Sequence, residues 1–225
     1  MKSFPVLRGL LGRLRFVAPM AFVVLILPAS GMGEEMEQEA LRPRPYFSVD
    51  LGASFVQGTT LKSSGAFIQS GKMKFDPGAQ FDVAFGSQFG SLAVEFETGI
   101  IANSTSSIQD EFGGGGDFAF YQVPFLVNFY YHIPTRSRFH PFVGVGVGGV
   151  ASILENYDLF YGSSDDTFGF GCQGLAGCTY QITRTMDLGL RYKYLGVADR
   201  TFDSLDLKMG WTHTHSVTAY FSLKF

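Results

Sequence analysis

From Tyr46 to the last residue the chain repeats one pattern, with apolar side chains at every second position. In "YFSVDLGASF" the apolar set is Phe47, Val49, Leu51, Ala53 and Phe55, separated by Ser48, Asp50, Gly52 and Ser54. A period of two puts the two sets on opposite faces of a strand. "AQFDVAF" sets Phe81, Val83 and Phe85 against Gln80, Asp82 and Ala84, and "LAVEFETGI" sets Leu92, Val94, Phe96 and Ile100 against Ala93, Glu95, Glu97 and Gly99. In "YQVPFLVNFYY" the odd positions Tyr121 to Phe129 oppose Gln122, Pro124, Leu126 and Asn128. "DLGLRYKYLG" opposes Leu188, Leu190, Tyr192 and Tyr194 to Asp187, Gly189, Arg191 and Lys193. The last strand, "SVTAYFSLKF", opposes Val217, Ala219, Phe221, Leu223 and Phe225 to Ser216, Thr218, Tyr220, Ser222 and Lys224.

Two glycine-rich stretches complete a set of eight strands. "PFVGVGVGGVAS" contains Gly144, Gly146 and Gly149 at the spacing of a dinucleotide-binding turn, with Asp165 at a suitable distance downstream. That motif needs a following amphipathic helix and further βαβ units, and neither is evident. Val143, Val145 and Val147 share one face while Phe142, Gly144, Gly146 and Gly148 share the other, which is the period of a strand. Inward glycines in a narrow barrel leave room for bulky neighbours such as Tyr220 or Arg191. In the next strand Gly169, Gly171, Gln173 and Gly177 face one way, and Phe168, Phe170, Cys172, Ala176 and Tyr180 the other. Pro124 is the misfit, since proline cannot donate to a ladder, and it predicts a bulge or local break.

The connections alternate in length. Short ones lie near Gly86–Ser91, His132–Arg138 and Ile182–Thr185; long ones run about Gln57–Pro77, Asn103–Gly116, Ile153–Asp166 and Gly196–Thr214. Short turns at one end and long loops at the other mark a transmembrane barrel. The expected fold is therefore all-β: an eight-stranded antiparallel up-and-down transmembrane β-barrel over residues 46–225, preceded by a cleavable signal peptide.

Composition agrees with that reading. Charged residues make up 16% of the chain, against about 25% in ordinary soluble proteins, while there are 24 Phe, 10 Tyr and 28 Gly. A net charge of −3 gives no reason to expect a nucleic-acid partner. Lys2, Arg8, Arg13 and Arg15 precede the apolar run "FVAPMAFVVLIL" and the small residues of "PASGMG". Such a run is too short to span a bilayer as a helix and suits an export signal. Residues 1–33 are the expected signal peptide and 34–45 a polar periplasmic leader. No cysteine follows the run, so lipoprotein processing is not expected.

The segments "FSVDLGASF", "YQVPFLVNFYYH", "FHPFVGVGVG" and "MDLGLRYKYLG", with a final strand ending in Phe225, resemble the small eight-stranded outer-membrane barrel family. That family includes OmpA- and OmpX-like proteins and the porin-like group of the outer membrane protein β-barrel domain. The resemblance spans about Tyr46 to Phe225 and implies residence in the cell outer membrane, among its lipid and lipopolysaccharide. It also implies that Tyr220, Phe221, Leu223 and Phe225 carry the terminal signal read by the barrel-insertion machinery. The peptidoglycan-binding domain of some relatives is not expected.

With the apolar set outward, the inward ionisable residues are Asp50, Asp82, Glu95, Glu97, Asp187, Arg191, Lys193 and Lys224. An eight-stranded barrel is just wide enough to be filled by side chains, and buried charges must be paired. The expectation is a structural polar network of Asp50, Asp82, Glu95 and Glu97 with Arg191 and Lys193, not a catalytic dyad. Because acids outnumber bases, a bound cation or a protonated acid stays open. Cys172 and Cys178 lie roughly 20 Å apart along one extended strand, beyond the roughly 4.4–6.8 Å a disulfide tolerates. His213 and His215 share one face near a strand end; two ligands do not make a closed metal site. Outer-membrane lipid A deacylases set a His and a Ser near a downstream acid, and no Asp or Glu follows Ser216.

The function expected is non-enzymatic, with no cofactor and no metal: a largely plugged barrel serving envelope structure or surface interaction through its outer loops. "LENYDLFYGSSDD" is one such loop that could meet a surface ligand. The alternatives are a small porin, a lipid-modifying enzyme and a soluble periplasmic β-protein.

Overall fold

A computed structural model describes residues 42–63, 71–109, 118–156, 164–202 and 207–225. The expected signal peptide, most of the expected leader, the centre of the acidic-aromatic loop and Gly113–Gly116 lie outside the described residues. No helix among the described residues is long and apolar enough to cross a membrane, which says nothing of strands.

Twelve strands run in chain order: β1 (Arg44–Val56), β2 (Thr59–Ser63), β3 (Gly71–Phe75), β4 (Gly78–Phe89), β5 (Leu92–Gln109), β6 (Phe118–His132), β7 (Phe139–Asn156), β8 (Ser164–Gln181), β9 (Met186–Val197), β10 (Arg200–Phe202), β11 (Leu207–Met209) and β12 (Thr212–Lys224). Eight of them form a closed antiparallel ring in the order β1, β4, β5, β6, β7, β8, β9, β12. β12 pairs back on β1, from Tyr46 opposite Lys224 to Val56 opposite Thr214. Closure leaves the ring no free edge, so every ladder satisfies its neighbour.

The outward set is the apolar one. Leu51, Phe85, Val145 and Leu190 are each at least 60% exposed, and Phe129, Val143, Leu188 and Val217 are exposed beside them. A belt of that size facing water would drive aggregation; facing hydrocarbon it is the ordinary surface of a membrane barrel. The inward set is buried and mostly polar, as along β1, where Ser48, Asp50 and Ser54 are buried between exposed Leu51 and Phe55. The short turns and both ends of the described chain lie at one end of the ring. The tightest turn, Phe89–Leu92, is closed by Gly90 at φ 59°, where glycine alone carries no steric penalty.

Pro124 does interrupt a ladder, on one side only. β6 keeps its register with β7 through Pro124 opposite Val150. Toward β5 the pairing skips from Thr98–Phe125 to Ile101–Gln122 with no change of register, so the break spans Gly99–Ile100 and involves no bulge. The missing donor of proline accounts for it.

Where long loops were expected, the structure adds strands. β5, β7 and β8 run 18 residues each, well past the roughly 9–11 that cross a bilayer. Above the ends of β1, β4, β9 and β12 their places are taken by β3, β2, β11 and β10, which extend the sheet from β5 in the order β5, β3, β2, β11, β10. β10 comes to lie against β8. The ring thus continues as an upper storey at the long-loop end.

The inward residues stack in layers that can be read along single strands. On β5 they run Ala93, Glu95, Glu97, Gly99, Ile101; on β7, Phe142, three glycines, Val150, Ser152, Leu154. Near the short-turn end, Tyr130, Phe142, Leu175 and Tyr220 form an aromatic layer with Tyr46 against it. Further up, Ile101, Leu126, Val150, Leu195 and Val197 form an aliphatic layer. Inside the upper storey, Val56, Met73, Phe120, Leu154, Phe202 and Met209 form a third apolar cluster.

Candidate functional site

The charged residues fall between the aromatic and aliphatic layers. On β9, alternation brings Arg191 and Lys193 inward, and Lys193 is followed by Leu195 of the layer above. On β1 and β4, register sets Asp50 directly opposite Asp82. Two carboxyl groups facing across a ladder repel if both are ionised, and a cation or a proton between them relieves the repulsion. Lys193 Nζ sits between them, 3.2 Å from Asp50 Oδ2 and 2.8 Å from Asp82 Oδ2, with Glu97 Oε2 at 3.0 Å. Arg191 Nη1 reaches Asp50 Oδ2 and Glu95 Oε1 at 3.3 Å and Glu97 Oε2 at 3.6 Å. All six residues are buried.

Neutral groups complete the cluster. Tyr46 donates to Glu95 Oε2 at 3.0 Å and Tyr130 to Glu95 Oε1 at 2.8 Å. Asn128 Nδ2 lies 3.3 Å from Glu95 Oε1 and 3.2 Å from Glu97 Oε2. Gln173 Nε2 reaches Glu97 Oε1 at 3.3 Å and Asn128 Oδ1 at 2.9 Å. Gln80 Nε2 donates to Asp82 Oδ2 at 2.6 Å. Below, Tyr220, Tyr130 and Phe142 offer ring faces to the Arg191 guanidinium, with centroids 4.5, 5.2 and 5.7 Å away. Cation–π contact strengthens where water is excluded.

The glycines make the network possible. A Cβ on Gly144 would press on the Tyr130 ring, one on Gly146 would collide with Asn128 Oδ1, and one on Gly189 with Tyr220. The neighbours they admit are Tyr130, Asn128 and, as expected of the inward glycines, Tyr220. Gly149 instead lies on the outer face against the Phe168 ring.

The remaining inward charges sit apart. Asp187 Oδ2 and Lys224 Nζ pair at 2.6 Å at the short-turn mouth, where a vestibule of about 310 Å³ opens between Arg44, Gln88, His132 and His140. Of the terminal residues, Tyr220 is buried inward beneath Arg191, whereas Phe221 and Phe225 are exposed. Cys172 and Cys178 are free thiols. His213 and His215 face outward; their Nδ1 atoms lie 2.7 Å from the hydroxyls of Tyr194 and Tyr192 respectively, and Trp211 stacks on His213. Among the described residues no group of three or more His, Cys, Asp or Glu side chains is arranged to hold a metal ion, and the carboxylates that do converge are held by Lys193 and Arg191.

Parity along the chain already placed Asn128, Gln173 and Gln80 inward. What it lacks is the register that brings six strands to one level, so it does not single out Tyr46 and Tyr130 as partners of Glu95. Apolar side chains of the inward layers, such as Val150, Leu154 and Leu195, carry no polar signal at all, because inward Leu and Val look the same in sequence as outward ones.

Comparison with known proteins gives the same architecture. The model of the outer membrane protein beta-barrel domain matches residues 22–225. Neisserial surface protein A is similar in structure at TM-score 0.51 and 18% identity, over 80% of this chain and 97% of that one. The outer membrane protease OmpT of Escherichia coli is similar at TM-score 0.50 and 8% identity, over 81% of this chain and 97% of that one. No curated protein sequence matches. At these identities the likeness is one of fold.

Proposed function

The chain belongs to the outer membrane protein beta-barrel domain family, and from that premise we propose that it is a non-enzymatic barrel with a closed lumen, serving envelope structure or contact at the cell surface. It is a protein of the outer membrane, and the long-loop end with its upper storey faces outward in this reading. Residues 1–33 are an export signal removed on the way, and residues 34–45 a periplasmic leader. The surrounding lipid and lipopolysaccharide are its first partners, and the final strand from Tyr220 to Phe225 is what the insertion machinery reads.

The observation that carries the closed lumen is the ionic layer itself. Arg191 and Lys193 reach four carboxylates contributed by three other strands, so they tie the walls together across the bore. Apolar layers lie on either side of that cross-link, and a third apolar cluster fills the outer mouth. An ion or solute would have to break at least three ion pairs and pass dry aliphatic packing, which low-dielectric surroundings make costly. The site has acids and bases but no nucleophile set beside them on a surface that substrate can reach, which supports a structural role.

Planar-bilayer recording of the refolded protein tests the reading. Silent or rare, small openings are expected at neutral pH, and a large steady conductance overturns it.

A further inference from the structure

The ionic layer is not charge-balanced. Asp50, Asp82, Glu95 and Glu97 face Arg191 and Lys193, four negative against two positive groups, an excess of two negative charges between apolar layers. Other buried charged groups lie toward the ends of the lumen, among them Asp187 with Lys224 at one, and Arg200 and Asp165 beside the outer cluster at the other. An uncompensated charge in such surroundings costs several kcal/mol, and carboxylates crowded together do not all ionise.

The four acids are not equally served. Glu95 accepts from Tyr46, Tyr130, Asn128 and Arg191, and Glu97 from Asn128, Gln173 and Lys193. Asp50 Oδ2 has Thr218, Arg191 and Lys193. Asp82 has donors on Oδ2 alone; its Oδ1 is buried without a hydrogen-bond partner among the described residues. So is Gln80 Oε1, an acceptor on the very side chain whose Nε2 already donates to Asp82 Oδ2. Asp82 and Gln80 are 1% and 3% exposed. Two orphan acceptors on partnered side chains lack one thing, a hydrogen.

We propose that Asp82 and Gln80 form a neutral acid–amide pair, with Asp82 keeping its proton on Oδ1 inside the folded barrel at neutral pH and donating it to Gln80 Oε1. One proton then satisfies both orphan atoms and halves the charge excess. The charge left over rests on Glu95, whose neutral Tyr and Asn donors suit an anion. The groups facing Asp82 from the strands packed around it are Asp50 on β1, Glu97 on β5 and Lys193 across the lumen on β9. The two carboxylates favour the proton and the ammonium opposes it, while Lys193 divides its charge among three acids. The inference rests on the closed-lumen reading, since bulk water would solvate an ionised Asp82.

Infrared spectroscopy of the protein in lipid vesicles at neutral pH tests it. The expected spectrum has a carbonyl band of one protonated carboxylic acid, which moves when aspartate, but not glutamate, is carbon-13 labelled and is lost in Asp82→Asn. D82N, which supplies an N–H where the proton stood, is expected to unfold at an unchanged or higher urea concentration. D50N, the same chemical change at a served carboxylate, shifts the midpoint downward. Absence of the band from the unsubstituted protein overturns the proposal, and means that water or a trapped cation fills the gap. Survival of the band in D82N overturns it as well. Should D82N fail to fold, the isotope shift in the unsubstituted barrel decides alone. Conductance with an intact band would instead sink the closed lumen and leave the proton standing.

Discussion

Lys193 stands where three carboxylates converge on one ammonium, 2% exposed, so its removal leaves buried anions without a counter-charge. Breaking such a cluster by deleting one partner costs about 3–5 kcal/mol, although the intact cluster adds little net stability over apolar packing. Lys193→Met is expected to lose that much in equilibrium urea unfolding; a loss under about 1 kcal/mol would mean that water already screens the site. The glycines give a second test at this scale. Gly146→Ala would drive a methyl into Asn128 Oδ1 and is expected to cost about 1–3 kcal/mol, whereas Gly174→Ala, with nothing within 4 Å of its Cβ, should stay within about 0.5 kcal/mol of the unsubstituted protein. Equal destabilisation of the two would refute the spacer role. The inward position of every acid and base in the network was legible from parity, because a period of two leaves no ambiguity once one face is known to be oily. The partners Tyr46 and Tyr130 were not, since an inward aromatic has the same pattern as an outward one.

At the level of the strands, alternation located the eight that form the ring, and the missing donor of Pro124 located the break in the β5–β6 ladder. It did not locate β2, β3, β10 and β11. These are three to five residues long, too short to show a period, and β2 gains its partner β11 from far along the chain. Their stability comes from the cluster they enclose and not from their own sequence. Phe202 is fully buried in that cluster, and truncation of a buried Phe costs about 3–5 kcal/mol. Phe202→Ala is therefore expected to raise protease cleavage of the outer segments on the order of a hundredfold, while the membrane ring keeps its heat-modifiable migration on gels. Cleavage unchanged by F202A would mean that the upper storey does not depend on its apolar core.

For the molecule as a whole, the division of labour is between a ring that solvates its outer face with hydrocarbon and a bore that solvates its charges with one another. Low charge content, abundant aromatics and unequal loop lengths made the membrane ring legible before any register was known. The layering inside was illegible because it depends on strand tilt and stagger, which bring residues of different chain depth to one level. The most direct measurement is magnetisation transfer in solid-state NMR of the protein in lipid bilayers, from acyl chains and from water in turn. Transfer from acyl chains to Leu51, Val145 and Leu190, with no fast transfer from water to Glu97 or Lys193, is the result expected of an oily exterior around a dry ionic layer. Water reaching Lys193 as quickly as it reaches the short turns would contradict it.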